Sequence, residues 1–260
     1  MKSIFFNRLL GIMDELREKC PWDREQTFES LRPQTIEEVY ELGEAILQGD
    51  YRGVCKELGD VLLHVVFYAK MGEEGGHFTI DGVIDALCEK LIFRHPHVFG
   101  EAEASGAAAV VQQWEALKLR EKDGNRTVLA GVPAGLPSLI KAYRLQDKAR
   151  AVGFDWDVRE QVWDKVAEEF GELQAELAGG APGDVEAEFG DLLFSLVNAA
   201  RLYGVDPDTA LERTNAKFIR RFNYLERQTL RQGRSLHTMS LEEMNRIWEE
   251  AKGEEAKGEE

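Results

Sequence analysis

Along this chain apolar residues recur at steps of three and four. Around Ile36, Val39, Leu42 and Ile46 the spacing is that of one helix face. Pro33 falls near the predicted start of that helix, where its missing N–H does no harm. The segment 56–71 is different. On a wheel at about 100° per residue its apolar side chains go nearly all the way round, and only Glu57, Asp60 and His64 interrupt them, as one narrow stripe. A helix that is hydrophobic on nearly every side is usually buried, so both carboxylates are expected to be buried with it. Phe189, Leu192, Leu193, Leu196 and Val197 surround Glu188 and Asp191 in the same manner. No alternating strand pattern of comparable strength occurs, and the fold class predicted is all-α.

The second apolar segment is a repeat of the first. Glu37-Glu38-Val39-Tyr40-Glu41 recurs as Glu168-Glu169-Phe170-Gly171-Glu172, and Glu57-Leu58-Gly59-Asp60 recurs as Glu188-Phe189-Gly190-Asp191. Every matched carboxylate is displaced by 131 positions, and the step from Glu41 to Glu57 equals that from Glu172 to Glu188. The paired helices are therefore joined by loops of the same length. Lys90 and Arg94 match Lys217 and Arg221, and Trp114 matches Trp248. This organisation predicts a first domain over 1–122, a linker rich in turn residues over 123–137, a second domain over 138–252 and a disordered acidic tail over 253–260.

Composition narrows the function classes. With 48 acidic against 32 basic residues the formal net charge is -16, which repels polyanions and argues against duplex nucleic acid as a partner. Three cysteines, Cys20, Cys55 and Cys88, are odd in number and have no metal-binding spacing. They indicate neither a disulfide framework nor zinc, and a cytoplasmic location fits best. The apolar run 61–69 is too short to span a bilayer, and the run from Ile4 to Phe6 is broken by Asn7 and Arg8, so neither a membrane span nor a signal peptide is expected. Phosphate-loop, dinucleotide and zinc-protease motifs are missing. The single Glu-x-x-His, from Glu74 to His77, crosses Gly75 and Gly76 and reads as a turn.

The acidic stripe carries the candidate chemistry. Buried ionised carboxylates are costly unless a cation or dense hydrogen bonding compensates them, and Glu57 and Asp60, three apart, share a helix face. Glu38 and Glu41 have the same spacing. If the two helices pair as a hairpin, four or five carboxylates converge, and an all-oxygen set suits Mg²⁺ or Mn²⁺ better than zinc. Taken alone, the acids of 37–44 lie opposite Ile36, Val39 and Ile46, as on a solvated face. Ser195 stands in the second copy where the first has His64, so His64 reads as a core or supporting residue.

With Glu-Glu-x-x-Glu, a fixed gap and Glu-x-x-Asp present twice, the sequence resembles the MazG family of nucleoside triphosphate pyrophosphohydrolases in its long two-domain form. Cys20-Pro21-Trp22-Asp23, the stretch from Arg94 to Gly100, Val152-Gly153-Phe154-Asp155-Trp156 and the stretch from Lys217 to Phe222 support the likeness. The resemblance implies tandem MazG-like domains whose helix hairpins form four-helix bundles in a homodimer. It implies Mg²⁺-dependent cleavage of ribo- and deoxyribonucleoside triphosphates to monophosphate and pyrophosphate, a house-cleaning activity. Carried over by motif, Glu38, Glu41, Glu57 and Asp60 hold metal in the first copy, and Glu169, Glu172, Glu188 and Asp191 in the second. Glu37 and Glu168 take the catalytic role of orienting water. Lys90, Arg94, Lys217 and Arg221 present positive charge to phosphates, although an exposed cationic face is the ordinary explanation of such pairs. Trp248 is a candidate to stack on the base, against the commoner fate of core packing.

One departure stands out. Some relatives carry a lysine shortly before the second Glu-x-x-Asp, where this chain has Gly183-Asp184-Val185-Glu186-Ala187, whereas Arg52 and Lys56 lie near the first. Two other readings remain at this stage: one copy silent and regulatory or dimerising, or the whole chain a non-enzymatic helical scaffold.

Overall fold

In the computed structural model the described residues are 2–101, 106, 110, 117 and 127–258. Every regular element among them is helical. The chain divides into two compact units, Met1–Arg120 and Glu121–Glu260. Trp114 and residues 123–126 lie outside the described residues, and residues 127–137 run through turns.

In the first unit, α1 (Lys2–Lys19), α2 (Pro21–Glu25), α3 (Phe28–Gln48), α4 (Tyr51–Glu74), α5 (Ile80–Arg94) and α6 (Pro96–Phe99) follow one another. α3 and α4 form a hairpin, with α1 and α5 packed on α4. The start of α3 is set by a capping box: Ser30 N donates to Thr27 Oγ1 at 3.2 Å and Thr27 N donates to Ser30 Oγ at 2.9 Å. This corrects the sequence expectation for Pro33. Because the cap places the first turn at Phe28, Pro33 lies inside the helix and removes one of its backbone bonds. Replacing Thr27 by alanine is expected to cost about 1 kcal/mol, measurable as a lower urea midpoint.

At the other end Gly49 takes the left-handed conformation (φ 69°), and Asp50 at once caps α4 by accepting from Arg52 N and Gly53 N at 3.1 and 3.0 Å. So short a link leaves the helices little choice but to fold back on each other. Met13, Leu31, Val66, Phe67 and Met71 form the core between α1, α3 and α4.

The second unit contains α7 (Ser138–Ala151), a 3₁₀ turn (Arg159–Gln161), α8 (Val162–Leu177), α9 (Pro182–Leu202), α10 (Pro207–Arg231), a second 3₁₀ turn (Leu236–Thr238) and α11 (Leu241–Gly258). α8 and α9 repeat the hairpin, α7 packs on α9 and α10, and α11 packs on α10 around Leu225, Met239 and Ile247. The last turns of α11 take in part of the stretch read as a disordered tail. Alanine, lysine and glutamate, which compose most of that stretch, are all strong helix formers.

The wheel is corrected on one further point. Leu58, Leu62 and Val65 of α4 are 52%, 40% and 42% exposed, and Phe189, Leu193 and Leu196 of α9 are 48%, 58% and 41% exposed. A hairpin flanked by two more helices covers only part of each circumference, so an apolar face remains open on both hairpins. No helix of the described residues is long and apolar enough to cross a membrane.

Candidate metal centre

The hairpins bring the predicted acids together. Glu38 and Glu41 of α3 meet Glu57 of α4, and Glu169 and Glu172 of α8 meet Glu188 of α9, the ligand oxygens in each group lying within 4.8 Å of one another. Glu57 and Glu169 are each 7% exposed. Glu57 Oε2 and Glu188 Oε2 are buried without a hydrogen-bond partner. The electrostatics follow from that crowding. The negative charge of Glu57, then burial and Glu38, push the Glu41 carboxyl above its ordinary pKa. Burial first, then Glu172, Asp191 and Glu169, raise that of Glu188. Two acid triads, each with an orphaned buried oxygen and no nitrogen or sulfur donor, fit a hard divalent cation.

Asp60 and Asp191 follow one helical turn after Glu57 and Glu188 but do not belong to the triads. Asp60 is held by Lys56 at 3.4 Å, and Asp191 lines a cavity beside its triad. Glu37 and Glu168 are exposed. Lys90 is exposed on α5 and Arg94 is half-buried there. On α10, Lys217 is exposed, while the Arg221 guanidinium lies 6.0 Å from the centroid of the Trp248 ring, against which Phe218 also packs at 5.1 Å. His64, buried, has Nδ1 2.6 Å from Thr35 Oγ1, which is in turn 2.8 Å from Tyr68 Oη.

The missing lysine of the second copy has a counterpart that the sequence reading did not find. Lys56 Nζ of α4 lies 2.8 Å from Glu57 Oε1, and Lys165 Nζ of α8 lies 2.8 Å from Glu169 Oε1 and 3.0 Å from Glu168 Oε1. Hydrogen bonding to Glu57 raises the Lys56 pKa, and bonding to Glu169 and then Glu168 raises that of Lys165. At the displacement of 131, Lys56 corresponds to Ala187 and Lys165 to Gln34. Each triad keeps one such lysine, contributed by opposite helices of the hairpin. The signal was present as the four-residue step from Lys165 to Glu169.

In the second unit a cavity of about 690 Å³ opens directly beside the triad, with Lys165, Glu169 and Asp191 in its wall. Trp156, Phe154 and Phe194 contribute aromatic surface to it, and Gln146 and Asn198 contribute amides.

The MazG nucleotide pyrophosphohydrolase domain matches residues 26–99 and again residues 159–225, spans that contain the two triads. The chain belongs to the MazG family. It is 45% identical over 254 residues to the nucleoside triphosphate pyrophosphohydrolase/pyrophosphatase MazG of Thermotoga maritima, a match covering 96% of this chain and 97% of the relative. It is 40% identical over 256 residues to the nucleoside triphosphate pyrophosphohydrolase of Escherichia coli, with the same coverage. To the Bacillus subtilis protein YabN it is 46% identical over 252 residues, which is 95% of this chain and 51% of that protein. The tandem all-α reading of the sequence agrees with two MazG matches and with helices alone among the described residues. Both MazG domains carry a full triad.

Proposed function

We propose that the chain is a metal-dependent hydrolase that cleaves ribo- and deoxyribonucleoside triphosphates to monophosphate and pyrophosphate, in a house-cleaning role. The observation that carries this reading is the pair of acid triads, each within a span matching the MazG nucleotide pyrophosphohydrolase domain and each containing a buried carboxylate oxygen with no partner. The names of the Thermotoga and Escherichia relatives point to the same reaction class.

Glu38, Glu41 and Glu57, with Asp60, would hold Mg²⁺ in the first unit, and Glu169, Glu172 and Glu188, with Asp191, in the second; Mn²⁺ is a chemically acceptable substitute. Mg²⁺ bound there supplies neutralisation of phosphate oxygens and a more acidic water. Glu37 and Glu168, exposed one residue before Glu38 and Glu169, would serve to orient a water and accept its proton. Lys90, Arg94, Lys217 and Arg221 offer cationic groups to the phosphates, and Trp248, already under Arg221, offers a ring face.

A homodimer belongs to this reading, because the open apolar faces of α4 and α9 need a cover. Leu193→Ala is expected to weaken the dimer about tenfold or more in sedimentation equilibrium. A cytoplasmic location goes with the same reading, since the nucleotide pool is there and all three cysteines are free thiols. The test is product analysis on a mixture of ribo- and deoxyribonucleoside triphosphates, with Mg²⁺ or with chelator. Monophosphate and pyrophosphate formed only with Mg²⁺ is the expected result, and no cleavage under either condition overturns the proposal.

A further inference from the structure

We infer that Lys56 and Lys165 are positioning residues that make the two triads selective for Mg²⁺ over Ca²⁺, each by holding one oxygen of a ligand carboxylate so that only the other is left for the cation. This rests on the metal-dependent hydrolase reading above and names the residues that set the choice of ion.

The contacts are alike in the two units although the sequence positions are not. Lys56 Nζ is 2.8 Å from Glu57 Oε1, and the other oxygen, Glu57 Oε2, is the one buried without a partner. Lys165 Nζ is 2.8 Å from Glu169 Oε1, on a residue that is likewise buried. In each unit the ammonium also leans on an acid outside the triad: Lys56 on Asp60 Oδ2 at 3.4 Å, and Lys165 on Glu168 Oε1 at 3.0 Å. A lysine tied to two carboxylates is less free to swing, and the ligand carboxylate is held with it. At the displacement of 131, Lys56 corresponds to Ala187 and Lys165 to Gln34, so each triad has one carboxylate held in this way, from a different helix in each unit.

A carboxylate oxygen that accepts from an ammonium cannot also take a dication without pressing two positive charges together. Glu57 and Glu169 are therefore restricted to one oxygen each. That restriction costs the two cations unequally. Mg²⁺ is small, demands near-ideal octahedral geometry and keeps several of its waters, so it loses nothing when a carboxylate offers a single oxygen. Ca²⁺ gathers about six to eight oxygens and commonly uses both oxygens of one carboxylate, which the lysine denies it.

The experiment measures Mg²⁺ and Ca²⁺ binding by isothermal titration calorimetry, without nucleotide, in Lys56→Met, Lys165→Met and the two corresponding arginine variants. Each lysine is read in a parent chain whose other triad has lost a carboxylate, Glu188→Gln for Lys56 and Glu57→Gln for Lys165. Removing a positive charge strengthens the binding of both dications alike, so the ratio of the two dissociation constants isolates the effect of the freed oxygen. Each methionine variant is expected to shift that ratio toward Ca²⁺ by about tenfold or more. Arginine, which returns a donor to the same oxygen, is expected to restore most of the parent ratio. The lysine side chains are 66% and 39% exposed and methionine is a strong helix former, so the fold is expected to survive, which far-UV circular dichroism checks. An unchanged ratio in a folded methionine variant, or an arginine variant shifted as far as the methionine one, overturns the inference and leaves the hydrolase reading intact. Parent chains that bind neither cation overturn it as well, while the product analysis above judges the hydrolase reading separately.

Discussion

Replacing Glu57 and Glu188 together by glutamine is expected to lower kcat for nucleoside triphosphate hydrolysis about a thousandfold, a loss of about 4 kcal/mol of transition-state stabilisation. Each substitution removes the carboxylate with a buried, unpartnered oxygen from its triad, so the loss falls on metal retention and not on the fold. The same variant is expected to melt at a higher temperature than wild type in chelator, because it relieves like-charge repulsion within both triads. The pH dependence carries the same signature. The folded-state pKa of Glu188 is raised by burial and by its neighbours, and that of Glu41 by Glu57. Without metal the folded state therefore takes up protons more readily than the unfolded chain, and wild-type stability rises as pH falls from neutrality through those raised values toward the ordinary carboxylate range. The double variant should flatten that rise. Steady-state kinetics with Mg²⁺ and calorimetry in chelator measure the two halves of the prediction; a variant that retains wild-type kcat would remove the triads from the chemistry.

The second large effect concerns Asp155→Ala, expected to destabilise the second unit by about 3 kcal/mol and to lower its melting temperature by about 10 °C. Arg201, its side chain 5% exposed, holds Asp155 through both guanidinium ends, with Nη1 to Oδ2 at 3.0 Å, and Asn198 adds to the same guanidinium. Removing the aspartate leaves a buried cation with too few acceptors, which costs more than the pair itself contributes. The double variant Asp155→Ala, Arg201→Met is thus expected to be less destabilised than Asp155→Ala alone. Burial acts to raise the Asp155 pKa, but the Arg201 bond and the Trp156 backbone N–H outweigh it and hold it below the ordinary value. The stabilisation is therefore fully present above about pH 4, the unfolded value, and is lost as pH falls through the lowered one. Denaturant titrations from neutral pH down to about pH 3 test the sign.

What the sequence made legible was local. Glu38, Glu41 and Glu57 could be placed on one hairpin because helix periodicity and an equal loop length depend only on nearby residues, and the triads formed where the spacing put them. The burial of Leu58, Leu62 and Val65 was misjudged because a wheel reports hydrophobicity and not which neighbour covers it. Pro33 was misplaced because the cap at Thr27 and Ser30 sets the helix start, and that pair was not weighed against the apolar spacing. Lys165 does not show in a comparison of the repeats because its counterpart, Lys56, lies on the other helix of the hairpin. The cavity was out of reach altogether, since its wall joins Phe154, Asp155 and Trp156 to α9 residues through the bond from Arg201 to Asp155, 46 residues away.

The exchange of lysines between the helices makes the two halves of the duplication non-interchangeable. A crossover in the hairpin loop that joined α3 of the first half to α9 of the second would unite Gln34 with Ala187, and the hybrid triad would have no lysine at all. The reciprocal product would unite Lys165 with Lys56 and set two cations against three carboxylates. Each half is matched to its own partner helix and mismatched to its sibling's.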